Sequence, residues 1–225
     1  MDKEINRIRI NKLYSENGLF DEIVFHDGVN LILGEKYDES TIVGRKTNGV
    51  GKSMSIEFLD FCLLNDYKDS RIKKVPESTF PIDENIILDL EIGDSQITIK
   101  RNRKEESMPL IIRDNRKVSF DKISDARNYL SEVLFNKLSG KSIPSFRNLL
   151  SILMRDERSE FVDILKCHEL VRNIPADLTP HLFMLGIEIE SYAKVLRTIK
   201  DIGNITKVIA NNKKELTSGD KKIAD

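Results

Sequence analysis

The chain begins with short runs of apolar residues that follow the period expected of strands. Apolar and polar residues alternate over residues 5–14, and a second short run follows at residues 22–26, after the turn residues Asn17 and Gly18. Alternation of this kind is typical of strands that bury one face. The next run, residues 29–34, is mostly apolar and ends in glycine. This pattern predicts a strand buried on both faces, at the middle of a sheet.

Two further alternating runs occupy residues 86–101 and are separated by Gly93 and Asp94. A two-residue turn between alternating runs is a strong indication of a β-hairpin. Shorter apolar runs at residues 110–112 and 117–120 predict additional strands at the edge of this hairpin. The middle of the chain is therefore expected to contribute antiparallel strands.

Apolar residues then recur with the spacing of helices. Intervals of three and four predict helices over residues 121–138 and 145–155. From residue 187 the composition changes, and an apolar residue recurs at every seventh position: Val195, Ile202, Ile209, Leu216 and Ile223. This heptad repeat predicts the start of a coiled-coil arm. We therefore divide the chain into a globular part, residues 1–186, and a truncated arm, residues 187–225.

Charge places weak limits on possible partners. Charged residues make up 32% of the chain, but 36 basic and 37 acidic side chains leave a net charge of −1. Bulk charge therefore does not predict nucleic-acid binding. Basic runs at residues 71–74, 100–104 and 113–117 are the local candidates for DNA contact, although solvated strand edges and loops are the simpler explanation.

Cysteine use and hydropathy indicate a protein of the reducing cytosol. The two cysteines, Cys62 and Cys167, form no CxxC pair, so neither a zinc site nor a disulfide framework is indicated. The first residues are too charged for a signal peptide, and no apolar run approaches the length that spans a membrane. We expect a soluble, cytoplasmic chain with no membrane partner.

A glycine-rich segment between the predicted buried strand and an apolar helix carries the clearest chemistry. The segment is Asn48, Gly49, Val50, Gly51, Lys52 and Ser53, followed by Met54. Glycines allow backbone amides to close around an anion where a side chain would block it. The amides and dipole at the start of the following helix attract the same anion. This arrangement predicts a phosphate-binding loop.

The same segment supplies the residue types that a nucleotide and its metal require. In the GxxxxGK[ST] pattern the lysine reaches the β- and γ-phosphates and the hydroxyl binds Mg²⁺. Lys52 and Ser53 occupy those positions, whereas Lys46 stands where the pattern has its first glycine. The alternative is an ordinary glycine turn before a helix. We predict that residues 48–54 bind ATP, with Lys52 in a catalytic role and Ser53 as a metal ligand.

Three stretches resemble the N-terminal half of an SMC/RecF/RecN-type ATPase head: residues 25–34, residues 48–53 and residues 146–157. The resemblance implies an α/β P-loop ATPase head N-lobe, a mixed sheet with an antiparallel hairpin plus helices, followed by a coiled coil. The family has a glutamine in its Q-loop, and Asp156 stands at about that position in this chain. The only glutamine of the chain is Gln96, which lies in the predicted hairpin. An insertion, residues 35–47, also separates the strand from the loop.

The resemblance also implies partners. Heads of this family are split, so a C-terminal lobe of the same protein would bring the signature motif, the metal-binding aspartate and the catalytic glutamate. Two heads would form a homodimer around two ATP molecules, and DNA would be a possible further partner. Residues 1–225 alone would then bind ATP weakly and hydrolyse it poorly.

Two other classes of function remain open at this stage. A self-contained P-loop enzyme is one, although no DxxG follows the loop and a GTPase is therefore not indicated. A kinase-like enzyme would leave the heptad repeat without a role. A coiled-coil adaptor that holds a nucleotide only for structure is the other.

Overall fold

The structure is a computed structural model that describes residues 5–33, 52–135, 143–154 and 178–220. The chain divides into two compact units, which are treated separately below. The first comprises Met1–Ser139 and Ser145–Ala176, and the second comprises Gly140–Pro144 and Asp177–Asp225.

The first unit is built on a six-stranded antiparallel sheet. In chain order the strands are β1 (Ile8–Ser15), β2 (Ile23–Val24), β3 (Ile86–Ile92), β4 (Ser95–Arg101), β5 (Leu110–Arg113) and β6 (Arg116–Ser119). Their order across the sheet is β2-β1-β3-β4-β5-β6. The α/β class and the antiparallel hairpin are confirmed. The sequence predicted a mixed sheet, and every pairing among the described strands is antiparallel.

Tight turns fix the register of the two hairpins. Gly93 has a φ of +60° at the β3–β4 turn, and a Cβ there would lie 2.9 Å from the side chain of Asn6. Glycine is therefore required both by conformation and by space. Asp114 and Asn115 join β5 to β6 with φ angles of +47° and +65°. Two successive positive φ angles match the twist of a two-residue hairpin, and Asp and Asn tolerate them.

The described part of the first unit also contains three α-helices. They are α1 (Lys52–Cys62), α2 (Ile123–Phe135) and α3 (Phe146–Leu153), and two short 3₁₀ helices, Tyr67–Asp69 and Arg71–Lys74, follow α1. Helix α1 packs on β3 and β4, while α3 packs on α2. Ser145 begins α3 by accepting a hydrogen bond from the Asn148 amide at 3.2 Å. The predicted helices at residues 121–138 and 145–155 are thus confirmed over their described residues, where α2 starts at Ile123 and α3 spans Phe146–Leu153.

The strand predicted at residues 29–34 is wrong where the structure describes it. Residues 29–33 form no strand, and Val29, Leu31 and Leu33 are 89%, 78% and 73% exposed. An apolar run becomes a central strand only when neighbours cover it on both sides. Here the sheet ends at the two-residue strand β2, which pairs with β1 alone among the described strands. Ile56, in the apolar helix predicted after the glycine-rich segment, is also 42% exposed.

The second unit contains α4 (Thr179–Met184) and the long helix α5 (Glu190–Asp220). The Tyr192 hydroxyl accepts a hydrogen bond from the Leu178 amide at 3.1 Å, which ties the start of α5 to the residue before α4. An apolar stripe along α5 is exposed and comprises Val195, Leu196, Ile199, Ile202, Ile205, Val208 and Ile209. None of the described helices is both long and apolar enough to cross a membrane.

The contrast between buried and exposed leucines gives a test of the sheet. Replacing Leu88, which is fully buried in β3, by Ala is expected to lower the free energy of unfolding by about 2–5 kcal/mol because a cavity remains. The matched change Leu31→Ala is expected to alter it by less than about 0.5 kcal/mol. Urea unfolding followed by circular dichroism measures both. A large loss for Leu31→Ala would show that residues 29–33 are buried in solution.

Candidate functional site

The predicted phosphate loop is described only at its end. Lys52 is the first residue of α1, Ser53 follows it with an exposed side chain, and Met54 is half-buried. The other predicted loop residues, Asn48, Gly49, Val50 and Gly51, lie outside the described residues, and so does Asp156. The structure therefore brings together three of the predicted site residues on one helical turn.

This first turn of α1 has a favourable electrostatic character for an anion. Its sequence contains no acidic residue. The first amides of a helix have no partner within the helix, and the helix dipole adds about half a positive charge at this end. The turn can therefore hold a phosphate group without a competing carboxylate on its own side chains.

The C-terminal end of α1 is capped by a motif in which leucine takes the usual position of glycine. The Asn65 amide donates to the Asp60 carbonyl at 3.1 Å, and the Leu64 amide donates to the Phe61 carbonyl at 3.0 Å. These are the two bonds of a Schellman motif, in which glycine normally takes the left-handed position. Here Leu64 takes it with a φ of +67° while its side chain is fully buried. Burial of the leucine side chain thus offsets the cost of the backbone conformation.

Three arginines from three elements converge on the carbonyl groups at this end. Arg101 of β4 donates to the carbonyls of Phe61 and, at 2.9 Å, Asn65. Arg127 of α2 donates through Nε and Nη2 to the Leu64 carbonyl at 2.9 and 2.7 Å. Arg147 of α3 donates to the Leu63 carbonyl at 3.1 Å. We call Arg101, Arg127 and Arg147 the arginine cluster.

Arg101 is the most deeply placed member of the arginine cluster. It is 1% exposed, its guanidinium lies 3.9 Å from the ring centre of Phe61, and it also donates to the Glu106 carbonyl. Burial lowers the pKa of Arg101 to about 10, so the side chain stays charged at neutral pH. The carbonyl oxygens and the aromatic face supply the negative potential that a buried cation requires.

The other two members have carboxylate partners. Arg147 Nη1 lies 2.8 Å from Asp60 Oδ1, and Arg127 Nη2 lies 3.2 Å from Asp66 Oδ1. Asp60 also accepts from the Asn65 side chain. The Arg147–Asp60 pair is mostly buried, with side chains 19% and 17% exposed. Both pairs lie near the C-terminal end of α1, where positive charge complements the helix dipole.

The sequence analysis did not identify the arginine cluster. Arg101 was part of the basic run at residues 100–104, interpreted either as a solvated edge or as a DNA contact. A usable signal was present, because alternation in β4 places Arg101 on the same face as the buried Ile97 and Ile99. Arg103 is likewise engaged within the protein, donating to the Tyr67 hydroxyl and the Phe80 carbonyl. The contacts of Arg127 and Arg147 depend on tertiary packing alone.

Cys62, the last residue of α1, lies beside the arginine cluster. Its thiol is fully buried and lies 3.6 Å from the Ile86 carbonyl oxygen. Burial raises the pKa of Cys62 to about 12, and the positive charge of Arg101 opposes this only in part. Cys62 therefore contributes to packing and is chemically inert. The described residues contain no group of His, Cys, Asp and Glu side chains suited to a metal ion.

The chain is similar in sequence to part of a longer bacterial protein. The chain is 26% identical to the uncharacterized protein YydD of Bacillus subtilis, over 88% of this chain and 33% of that protein. It thus spans about a third of the length of the curated relative that it matches. No protein-family model matches the chain. No solved structure matches it either.

The low reactivity of the Cys62 thiol can be tested by alkylation. At about pH 8 a pKa near 12 lowers the thiolate fraction of Cys62 roughly 10³-fold relative to an ordinary cysteine with a pKa of 9.0. We expect iodoacetamide to modify Cys62 at least that much more slowly in the native protein than in urea. Peptide mapping separates its product from that of Cys167. Equal rates in the two conditions would contradict the burial of this end of α1.

Proposed function

We propose that this chain binds ATP and Mg²⁺ through residues 48–54 and forms the N-terminal lobe of a P-loop ATPase head of the SMC-like type. One observation carries the proposal: the residues that follow the glycines in sequence are helical, with Lys52 and Ser53 at the start of the described part of α1. A glycine-rich segment that ends on a helix N-terminus is the context in which this motif binds phosphate.

Each residue has a defined role in the proposed site. Lys52 neutralises the β- and γ-phosphates, the Ser53 hydroxyl completes the shell of Mg²⁺, and the backbone amides of residues 48–54 surround the phosphate oxygens. Bound Mg²⁺ would withdraw charge from the phosphates during hydrolysis. Asp156 is the proposed polar group near the metal or the attacking water. The adenine contacts are not assigned to any residue.

The complete protein would need a second lobe to hydrolyse ATP. The relative YydD is about three times as long as the region it shares with this chain, which leaves room for such a lobe in a protein of that length. The exposed apolar stripe on α5 supports pairing of this helix with another one as a coiled coil. In the proposed cycle two heads form a homodimer around two ATP molecules, and hydrolysis separates them.

DNA is a possible partner, but fewer basic residues support it than the sequence indicated. Arg101 is buried, and Arg103 is half-buried and donates to the Phe80 carbonyl. The exposed members of the three basic runs are Lys73, Lys74, Lys104, Arg116 and Lys117. Exposed lysines and arginines are common surface features, so the proposal is restricted to ATP as ligand.

Replacing Lys52 tests the proposal directly. In the intact protein, Lys52→Ala is expected to weaken binding of a fluorescent ATP analogue roughly 10- to 100-fold, the effect of losing hydrogen bonds between charged groups. The melting temperature without nucleotide should stay the same. Lys104→Ala serves as the control, because Lys104 is an exposed lysine on the loop after β4. Unchanged affinity in the Lys52 variant would refute phosphate binding, whereas loss of the fold would favour a structural role for this residue.

A further inference from the structure

Helix α1 connects the proposed phosphate site to the arginine cluster as a short rigid rod. Its 11 residues span about 16 Å at 1.5 Å per residue. A helix of this length bends little, so the position of one end largely determines the position of the other. Lys52 and Ser53 lie at one end, and the carbonyl groups that the arginine cluster binds begin at the other.

The arginine cluster restrains this far end in several directions at once. Its members belong to a strand and two helices, and together they bind the carbonyl oxygens of Phe61, Leu63, Leu64 and Asn65. A shift of α1 along its axis would lengthen all of these bonds together. An ordinary helix end needs no such arrangement, since a Schellman motif and water satisfy its carbonyls.

Charge alone is too weak to explain a link between the two ends. The three arginines and the two carboxylates Asp60 and Asp66 leave one excess positive charge. At about 16 Å and an effective dielectric constant near 20, this charge changes the affinity for a phosphate charge by roughly fivefold before salt screening. By comparison, a displacement of about 1 Å in a preorganised site can cost on the order of 100-fold in catalytic rate. We therefore expect the position of α1 to matter more than the charge of the arginine cluster.

We propose that the arginine cluster positions the nucleotide site, with Arg147 as the positioning residue that joins α3 to the phosphate-loop helix. This inference rests on the proposed function and adds to it residues far from the phosphates. Arg147 holds two groups through one nitrogen: Asp60 Oδ1 at 2.8 Å and the Leu63 carbonyl at 3.1 Å. Its side chain is 19% exposed, whereas Arg101 is 1% exposed, so we expect the fold to tolerate the loss of Arg147 better than that of Arg101.

The test compares Arg147→Met with Arg147→Lys in the intact protein. Methionine keeps the apolar stem and removes both contacts, whereas the lysine ammonium retains a charge within reach of Asp60. Binding is measured well below the melting temperature of each variant. We expect the Arg147→Met variant to bind a fluorescent ATP analogue with Mg²⁺ about tenfold or more weakly than the natural protein. Arg147→Lys should restore affinity to within about threefold of the natural protein. A merely structural arginine would lower the melting temperature and leave the affinity of the folded protein unchanged.

Two further variants make every outcome decisive. Arg113→Met is the matched control, since Arg113 bonds only Ser95 and Asp114 among its described side-chain partners and lies outside the arginine cluster; its affinity should not change. If Arg147→Met does not fold, Asp60→Asn replaces it, with an expected loss of about threefold. Unchanged affinity in a folded Arg147→Met or Asp60→Asn variant overturns the inference, as does failure of lysine to restore it.

The Lys52→Ala variant distinguishes a failure of the positioning role from a failure of the proposed ATP binding. If Lys52→Ala abolishes binding and Arg147→Met does not affect it, the phosphate site stands and only the positioning role is wrong. If Lys52→Ala binds ATP as tightly as the natural protein, the proposed phosphate site is wrong and the positioning role is wrong with it.

Discussion

The burial of a charged arginine beneath α1 is the constraint on which the first unit depends. Arg101 ends β4 on the face of the sheet that also buries Ile97 and Ile99, so strand alternation directs its guanidinium inward. A buried cation is costly unless polar groups surround it. Those groups are the carbonyls of Phe61 and Asn65 at the end of α1 and the ring of Phe61. The sheet and α1 are therefore linked through buried polar groups, although Arg101 Nε has no hydrogen-bond partner among the described residues.

Local patterns predicted the elements whose determinants lie close together in sequence. The β3–β4 hairpin has its alternation and its turn glycine, Gly93, within one segment, and β5, β6, α2 and α3 likewise followed from short-range spacing. Residues 29–33 show the limit of this approach. Their composition is that of a central strand, but burial requires neighbouring strands, and the described sheet ends at β2 without covering them. No property of the segment itself could have revealed this.

The candidate site also has one part whose residues are adjacent in sequence and one part whose residues meet only through packing. Its proposed phosphate end was predicted from a glycine-rich loop, a lysine and a hydroxyl that are adjacent in sequence, and among these residues the structure describes Lys52 and Ser53, in α1. Its other end was not, because Arg101, Arg127 and Arg147 come from separate elements and meet only after packing. Arginines spaced in this way are indistinguishable in sequence from solvated surface charges. Only the inward register of β4 distinguished Arg101 beforehand.

Exposed apolar surface in each unit is consistent with a chain that functions as one part of a larger assembly. Residues 29–33 in the first unit and the apolar stripe of α5 in the second both expose large aliphatic side chains in consecutive rows. Scattered exposed leucines need no explanation, but contiguous rows mark surfaces that another segment covers. A split ATPase head requires both kinds of surface, one for a neighbouring strand and one for a paired helix. The two rows thus favour the same proposal as the phosphate loop, although neither involves the nucleotide.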